Sequence, residues 1–316
     1  MRKISRAVLI LILGVAFGQM YAQHANFNSQ RNWSLHKREL QIGLGATQFN
    51  GDLGGGNSVG QDYIRGLRDI DWKSTGQALW LGYRQRFHPY FATTSSFCFF
   101  NLKGDDQYSG EATRRERKLN FRSFNLELQQ RIEFIFAANE KFGSTFNLPG
   151  NYAKANRTEQ YYFFTGLGMI YFHNQGYYNA PGEDAKWVNL RALRTEGVKY
   201  SPFTLTIPTG IGFRFGFSRM WRLGMEIAYV KTFSDYIDDV STVYADPNSF
   251  TDPIGAYMSN PALGNPTYDA GNQRGDSKQK DAYYHLNIIV TKNLTYKDYG
   301  RQRKKYNLKS TGRYKV

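Results

Sequence analysis

The chain has 316 residues, a formal net charge of +15, one cysteine, 23 tyrosines and 23 phenylalanines. A single cysteine, Cys98, excludes an internal disulfide framework, and the aromatic content is more than a soluble core requires. The positive charge gathers toward the two ends of the chain, which argues against a nucleic-acid-binding face.

At the start, Arg2, Lys3 and Arg6 precede an apolar run over residues 7–17, followed by the small and polar residues 18–23. This order predicts a secretory signal peptide cleaved after Ala22. The run is too short for a permanent membrane helix, which needs about 20 residues. No cysteine follows it, so no lipid anchor is expected, and no later run is long and apolar enough to span as a helix. Any crossing of a membrane must then be made by strands.

The stretch 123–136 sets the pattern for the rest. Ser123, Asn125, Glu127, Gln129, Arg131 and Glu133 alternate with Phe124, Leu126, Leu128, Gln130, Ile132, Phe134 and Phe136. Period 2 predicts a strand with one polar and one apolar face, although Leu, Glu, Gln and Arg individually favour helix. Related patterns recur over 39–50, 77–87, 161–172, 203–217, 221–233 and 282–294, and 90–102 reads as extended without a clear orientation. The fold expected is all-β: an eight-stranded antiparallel transmembrane β-barrel of outer-membrane type, with an N-terminal signal peptide and long extracellular loops. An even strand count puts loops 51–76, 103–117, 173–202 and 234–281 outside and the turns 88–89 and 218–220 in the periplasm. The connection 137–160 is anomalously long for a periplasmic turn. The chain thus divides into a signal peptide (1–22), an N-terminal periplasmic segment (23–38), a barrel (39–294) and a basic periplasmic tail (295–316).

An eight-stranded barrel is just wide enough to be filled by its own side chains. The inward set contains Arg84, Arg86, Arg131, Arg214 and Arg222 beside Glu127, Glu133 and Glu226, so a salt-bridged plug is expected rather than a pore. No catalytic, cofactor-binding or metal-binding constellation is expected. The five histidines are scattered, and Asp235, Asp238 and Asp239 lack the ligand alternation and glycine turn of a calcium loop. With Asp52 and Glu196, these acids are read as a hydrogen-bonded extracellular rim that pins the 234–281 loop.

Several segments resemble a known family: 51–53 (Gly-Asp-Leu), 119–123, Leu126-Glu127, 164–168 (Phe-Thr-Gly-Leu-Gly), 195–197 (Thr-Glu-Gly), 207–212 (Ile-Pro-Thr-Gly-Ile-Gly) and 235–244 (Asp-Tyr-Ile-Asp-Asp-Val-Ser-Thr-Val-Tyr). In this order the chain is similar to the PorG-like outer-membrane barrels associated with type IX secretion and, in some bacteria, gliding. The resemblance implies a non-enzymatic anchor or scaffold, surrounded by outer-membrane lipid and contacting a periplasmic ring of the secretion apparatus. It implies no nucleic acid and no small-molecule substrate. A tail with Arg301, Arg303, Lys304 and Lys305 fits an electrostatic contact with an acidic partner. The alternative from the residues alone is a generic small barrel, porin-like or surface-binding and membrane-stabilising. A barrel enzyme ranks third.

Overall fold

The computed structural model describes residues 33–53, 72–109, 111–140, 158–218, 220–262 and 264–295. The signal peptide, the 23–32 part of the periplasmic segment and the tail residues Arg301, Arg303, Lys304 and Lys305 lie outside the described residues. Eight long strands close into a ring: β1 (Arg38–Asn50), β2 (Gly76–Arg86), β3 (Phe91–Asp105), β4 (Asn120–Glu140), β5 (Thr158–Tyr178), β7 (Phe203–Gly216), β8 (Trp221–Thr232) and β9 (Ala282–Asn293). Every neighbouring pair is antiparallel, and β1 pairs with β9 from Glu39↔Asn293 to Asn50↔Ala282, which removes both sheet edges. A short strand, β6 (Lys186–Asn189), adds to the outer end of β5.

Across the apolar band the wall strands other than β3 alternate as the sequence predicts, while the outer ends of β1 and β9 are buried on both faces. On β4, Phe124, Leu126, Leu128, Ile132 and Phe134 are exposed while Glu127, Arg131 and Glu133 are buried. The one polar exception on the apolar face, Gln130, accepts a hydrogen bond from the Ser95 hydroxyl at 2.5 Å across the β3–β4 ladder. Its amide oxygen is thereby satisfied where water is absent. Strand β3 orients with Phe91, Phe97 and Phe99 outward and Ala92, Thr94, Cys98, Phe100 and Leu102 inward. Its Ser and Thr residues fall on both faces, which is why the sequence pattern left it unoriented.

The outward face carries aliphatic side chains between two aromatic rings. Phe87, Phe91, Phe134, Tyr161, Phe217 and Trp221 lie toward one end, and Phe99, Phe124 and Phe203 toward the other. From Phe124 to Phe134 the strand is about 33 Å long, and a tilt of about 40° makes that about 25 Å of height, the thickness of an outer-membrane apolar band. The turns at Phe87–Tyr90 and 217–220 share one end, and the long connections share the other. Short turns mark the periplasmic side.

Three expectations are corrected. The two ends of the 137–160 connection are strand, because β4 continues to Glu140 and β5 begins at Thr158, with a register shift between Ile135 and Ala137. The weakly alternating Ala-Ala-Asn run concealed that extension; residues 141–157 are not described. Second, the outer loops are not plain loops: β3, β4 and β5 rise past the other strands, and β6 and the helices α1 (Ala112–Arg117), α2 (Leu190–Leu193) and α3 (Pro253–Ser259) lie between strands. Third, the ion pairs occupy only the periplasmic half of the lumen, and above them polar Asn125 and Glu127 share the bore with large apolar side chains. Its extracellular half packs Trp80, Phe100, Leu102, Ile170, Phe172 and Tyr283. One ladder is interrupted. The β5–β7 pairing skips from Thr165↔Thr209 to Gly168↔Thr206, where Pro208 has no N–H to donate.

Candidate functional site: the lumen ion-pair chain and the extracellular cap

Two polar constructions fill the barrel. The first crosses the periplasmic half of the lumen. Period 2 on β1, β2, β4, β7 and β8 turns one ionisable side chain after another inward, and their lengths let them meet at the axis. Arg222 lies 3.3 Å from Glu39, and Glu39 lies 2.7 Å from Arg84. Arg84 also meets Glu133 at 2.7 Å, and Glu133 meets Arg214 at 3.2 Å. Arg214 continues to Glu226 at 3.6 Å, and Glu226 to Arg131 at 2.9 Å. Charges alternate along this path, four arginines with three glutamates. Each of the four arginine side chains is at most 1% exposed.

Neutral donors and ring faces complete the solvation. The Thr94 hydroxyl donates to Glu133 at 2.6 Å and the Tyr162 hydroxyl to Glu226 at 2.5 Å. Arg131 is sandwiched 4.3 Å from the Trp80 ring and 4.2 Å from Phe164, and Arg214 stacks 4.1 Å from Tyr162. In a low-dielectric lumen such pairing offsets the desolvation of each charge.

Of the lumen residues expected from sequence, Arg84, Arg131, Glu133, Arg214, Arg222 and Glu226 come together here. Arg86 does not join them: it points to the periplasmic turn, where it donates to the His88 carbonyl at 3.3 Å and the Pro89 carbonyl at 2.5 Å. Glu127 stands higher in the lumen, accepting from the Thr206 hydroxyl at 2.6 Å, and forms no ion pair with a described residue. Glu39, the link between Arg84 and Arg222, was missed, as was His36 beside it at 3.6 Å. The signal for Glu39 was its even spacing from Gln41 on the inward face of β1.

The second construction is a cap over the extracellular mouth. Asp238 accepts from the Leu53 amide at 3.1 Å and the Val240 amide at 3.0 Å. Asp52 accepts from the Asp276 amide at 2.8 Å, and Asp235 from the Ser241 hydroxyl at 2.6 Å. Asp239 accepts from the hydroxyls of Thr195 and Tyr200, both at 2.5 Å. Glu196 accepts from the Ser241 amide at 2.9 Å, the Thr242 amide at 3.0 Å and the Thr242 hydroxyl at 2.7 Å. The segments 51–53, 195–197 and 235–244, which stood out separately in the sequence, are thus one hydrogen-bonded unit.

Two buried arginines hold the loops to each other. Arg117 makes a two-pronged contact with Asp106 at 2.7 and 3.0 Å and donates to the carbonyls of Asp52 at 2.8 Å and Arg274 at 2.7 Å. Arg274 meets Glu196 at 3.0 Å and donates to the Asp239 carbonyl at 2.6 Å. Neither arginine carries a sequence signal, since nothing local distinguishes a loop arginine that is buried from one that is not.

Burial, the largest cause, raises the carboxyls of Asp235 and Asp239 to about 6. It pushes Asp238 and Asp281 well above the usual carboxylate range, reinforced by repulsion from Asp52 and Asp235 at Asp238 and from Asp238 and Asp235 at Asp281. No group of three or more His, Cys, Asp or Glu side chains among the described residues is arranged to hold a metal ion.

A closed ring with an apolar outer wall between two aromatic girdles, and charge confined to its lumen, is a transmembrane β-barrel of the outer-membrane type. The outer membrane is where such a wall is solvated. No protein-family model matches the chain, and no curated protein matches it. Among solved structures it is similar to Ail, the attachment invasion locus protein of Yersinia pestis, solved in complex with the heparin analogue sucrose octasulfate. That likeness covers 81% of this chain and 97% of Ail, at 10% identity and a TM-score of 0.34. Neisserial surface protein A is similar over 81% of this chain and 97% of its own, at 7% identity and a TM-score of 0.33. The N-terminal β-barrel domain of Pseudomonas aeruginosa OprF is similar over 81% and 98%, at 6% identity and a TM-score of 0.30. The class rests on the strand pairing and the faces of the wall.

Proposed function

We propose that this chain is a non-enzymatic, non-conducting anchor of the outer membrane that holds a fixed platform of loops on the cell surface. The carrying observation is the unbroken path of ion pairs from Arg222 through Glu39, Arg84, Glu133, Arg214 and Glu226 to Arg131. Ion passage would require those buried charges to separate, at about 3–5 kcal/mol for each pair broken. Purified protein in planar bilayers is expected to give no stepwise conductance at neutral pH. Regular single-channel steps would replace the anchor with a porin-like role.

A second reading places this anchor in type IX secretion, contacting a periplasmic ring. What favours it is that three of the segments similar to the PorG-like family, 51–53, 195–197 and 235–244, meet in one cap. Deleting the gene and comparing secreted protein in the medium tests it. Loss of secretion with intact export to the periplasm supports the reading; normal secretion removes it and leaves the surface anchor. Replacing Arg301, Arg303, Lys304 and Lys305 by Gln then asks whether the tail recovers fewer ring components.

A further inference from the structure

A third construction lies outside both the lumen and the cap. On the extracellular flank of the barrel, the risen parts of β3, β4, β5 and β6 border a cavity of about 760 Å³. Its lining includes five cations, Lys73, Lys103, Arg115, Lys118 and Arg122, and a single carboxylate, Asp105. Asp105 already accepts from the Gln107 amide at 2.9 Å. Lys103, Arg115 and Lys118 form no ion pair with any described residue, so the lining carries an excess of positive charge.

One wall of the cavity is aromatic and rigid. Arg122 donates to the Gln175 side chain at 2.9 Å and lies 3.8 Å from the Trp187 ring centre. Trp187 in turn contacts Tyr177 at 5.2 Å between ring centres, and both rings are about 40% exposed. Exposed aromatic faces beside unpaired cations suit an anion carried on a sugar ring.

The depth of the site selects the source of that ligand. Alternation turns Lys103, Arg122 and Tyr177 to the outside of the wall, not into the lumen. Arg122 is the next outward residue beyond Phe124, at the outer aromatic girdle, and Lys103 pairs with it across the ladder. One outward step on a strand is about 6.6 Å along its axis. Lys103 and Arg122 therefore stand just above the apolar band, at the level of lipid headgroups, with Arg115 and Lys118 lining the same cavity.

We propose that this flank binds the phosphorylated saccharide headgroup of an outer-leaflet glycolipid. Lys103, Arg115 and Lys118 take the phosphate oxygens, and Trp187 and Tyr177 take a sugar face. The inference rests on the membrane seating of the barrel and not on a role in secretion.

The test uses purified full-length protein in detergent with three probes: bisphosphorylated lipid A, the same lipid A stripped of phosphate, and soluble glucose 6-phosphate. Retention is read by native mass spectrometry. Bisphosphorylated lipid A is expected to bind at least tenfold more tightly than the stripped form. The Lys103→Gln/Arg115→Gln variant, which disturbs no ion pair among the described residues, is expected to lose at least tenfold. Equal retention of the stripped lipid, or unchanged binding by that variant, overturns the site. Glucose 6-phosphate bound as tightly as lipid A overturns the glycolipid source. Trp187→Ala, which leaves every charge in place, should weaken retention several-fold; no change would overturn the sugar-face contact.

Discussion

At the residue scale, Glu133 is the hub of the lumen, receiving Arg84, Arg214 and Thr94. Glu133→Ala leaves two arginines buried without this partner, so a loss of about 3–5 kcal/mol is expected. Urea titration in lipid vesicles, followed by the heat-dependent shift in gel mobility of a folded barrel, measures it. A loss below about 1 kcal/mol would mean that water reaches the arginines.

The cap acids give a pH dependence of definite sign. Asp235 and Asp239 titrate near 6 in the fold, above an ordinary value near 4 when unfolded, so the folded cap holds more protons in that interval. Their effect on stability is most favourable below pH 4 and declines as pH rises to 6, and Asp238 and Asp281 carry the decline higher. Arg117, Arg274 and Lys280 face these acids and moderate the effect without reversing it. Hydrogen exchange at the Leu53 and Ile237 amides, which donate to Asp238 and Asp281, should show protection falling from pH 4 to 8 after correction for intrinsic rates. Protection that rises over that range would contradict the assignment.

At the element scale, the wall strands tolerate polar atoms toward lipid only where a neighbour satisfies them. Thr165 and Thr209 pair at 3.2 Å and Ser95 with Gln130 at 2.5 Å. Removing both members, Ser95→Ala with Gln130→Leu, is expected to change stability by less than about 1 kcal/mol, because no partner is orphaned. Leu128→Arg, on the same strand and face, should cost about 2–4 kcal/mol, as charge at the membrane midplane does. If the two variants cost the same, the face is not in lipid. The long outer elements obey a different logic. Arg274→Ala leaves Glu196 buried without its cation, so the 234–281 loop should become sensitive to limited proteolysis while the barrel keeps its gel-shift behaviour.

For the whole molecule, the ring, the plug and the cap divide the work. The ring pairs its ladder groups in lipid apart from the break at Pro208, the ion pairs and the largely aromatic layer above them fill the bore, and the cap fixes the loops. Strand type and facing were legible in Phe124–Phe136 because a side chain's face depends only on whether its position is odd or even. The same rule was silent for β3, whose Ser and Thr residues suit either face. It also stopped short for 137–140 and 173–178, where the strands leave the apolar band and alternation no longer distinguishes lipid from lumen. The rim acids were visible as a composition cluster, but their partners Arg117 and Arg274 were not.

Local periodicity and charge by themselves determined that this chain crosses a membrane with strands, which faces of those strands are apolar, and that arginine and glutamate share a narrow lumen. Only the tertiary structure decided which arginine meets which glutamate, since that depends on the register between strands far apart in sequence. It alone joined residues 51–53, 195–197 and 235–244 into one cap, and it alone turned five scattered cations to one flank of the barrel. These are long-range juxtapositions, set by ring closure and by strands of unequal height, and no periodicity within a single segment encodes them.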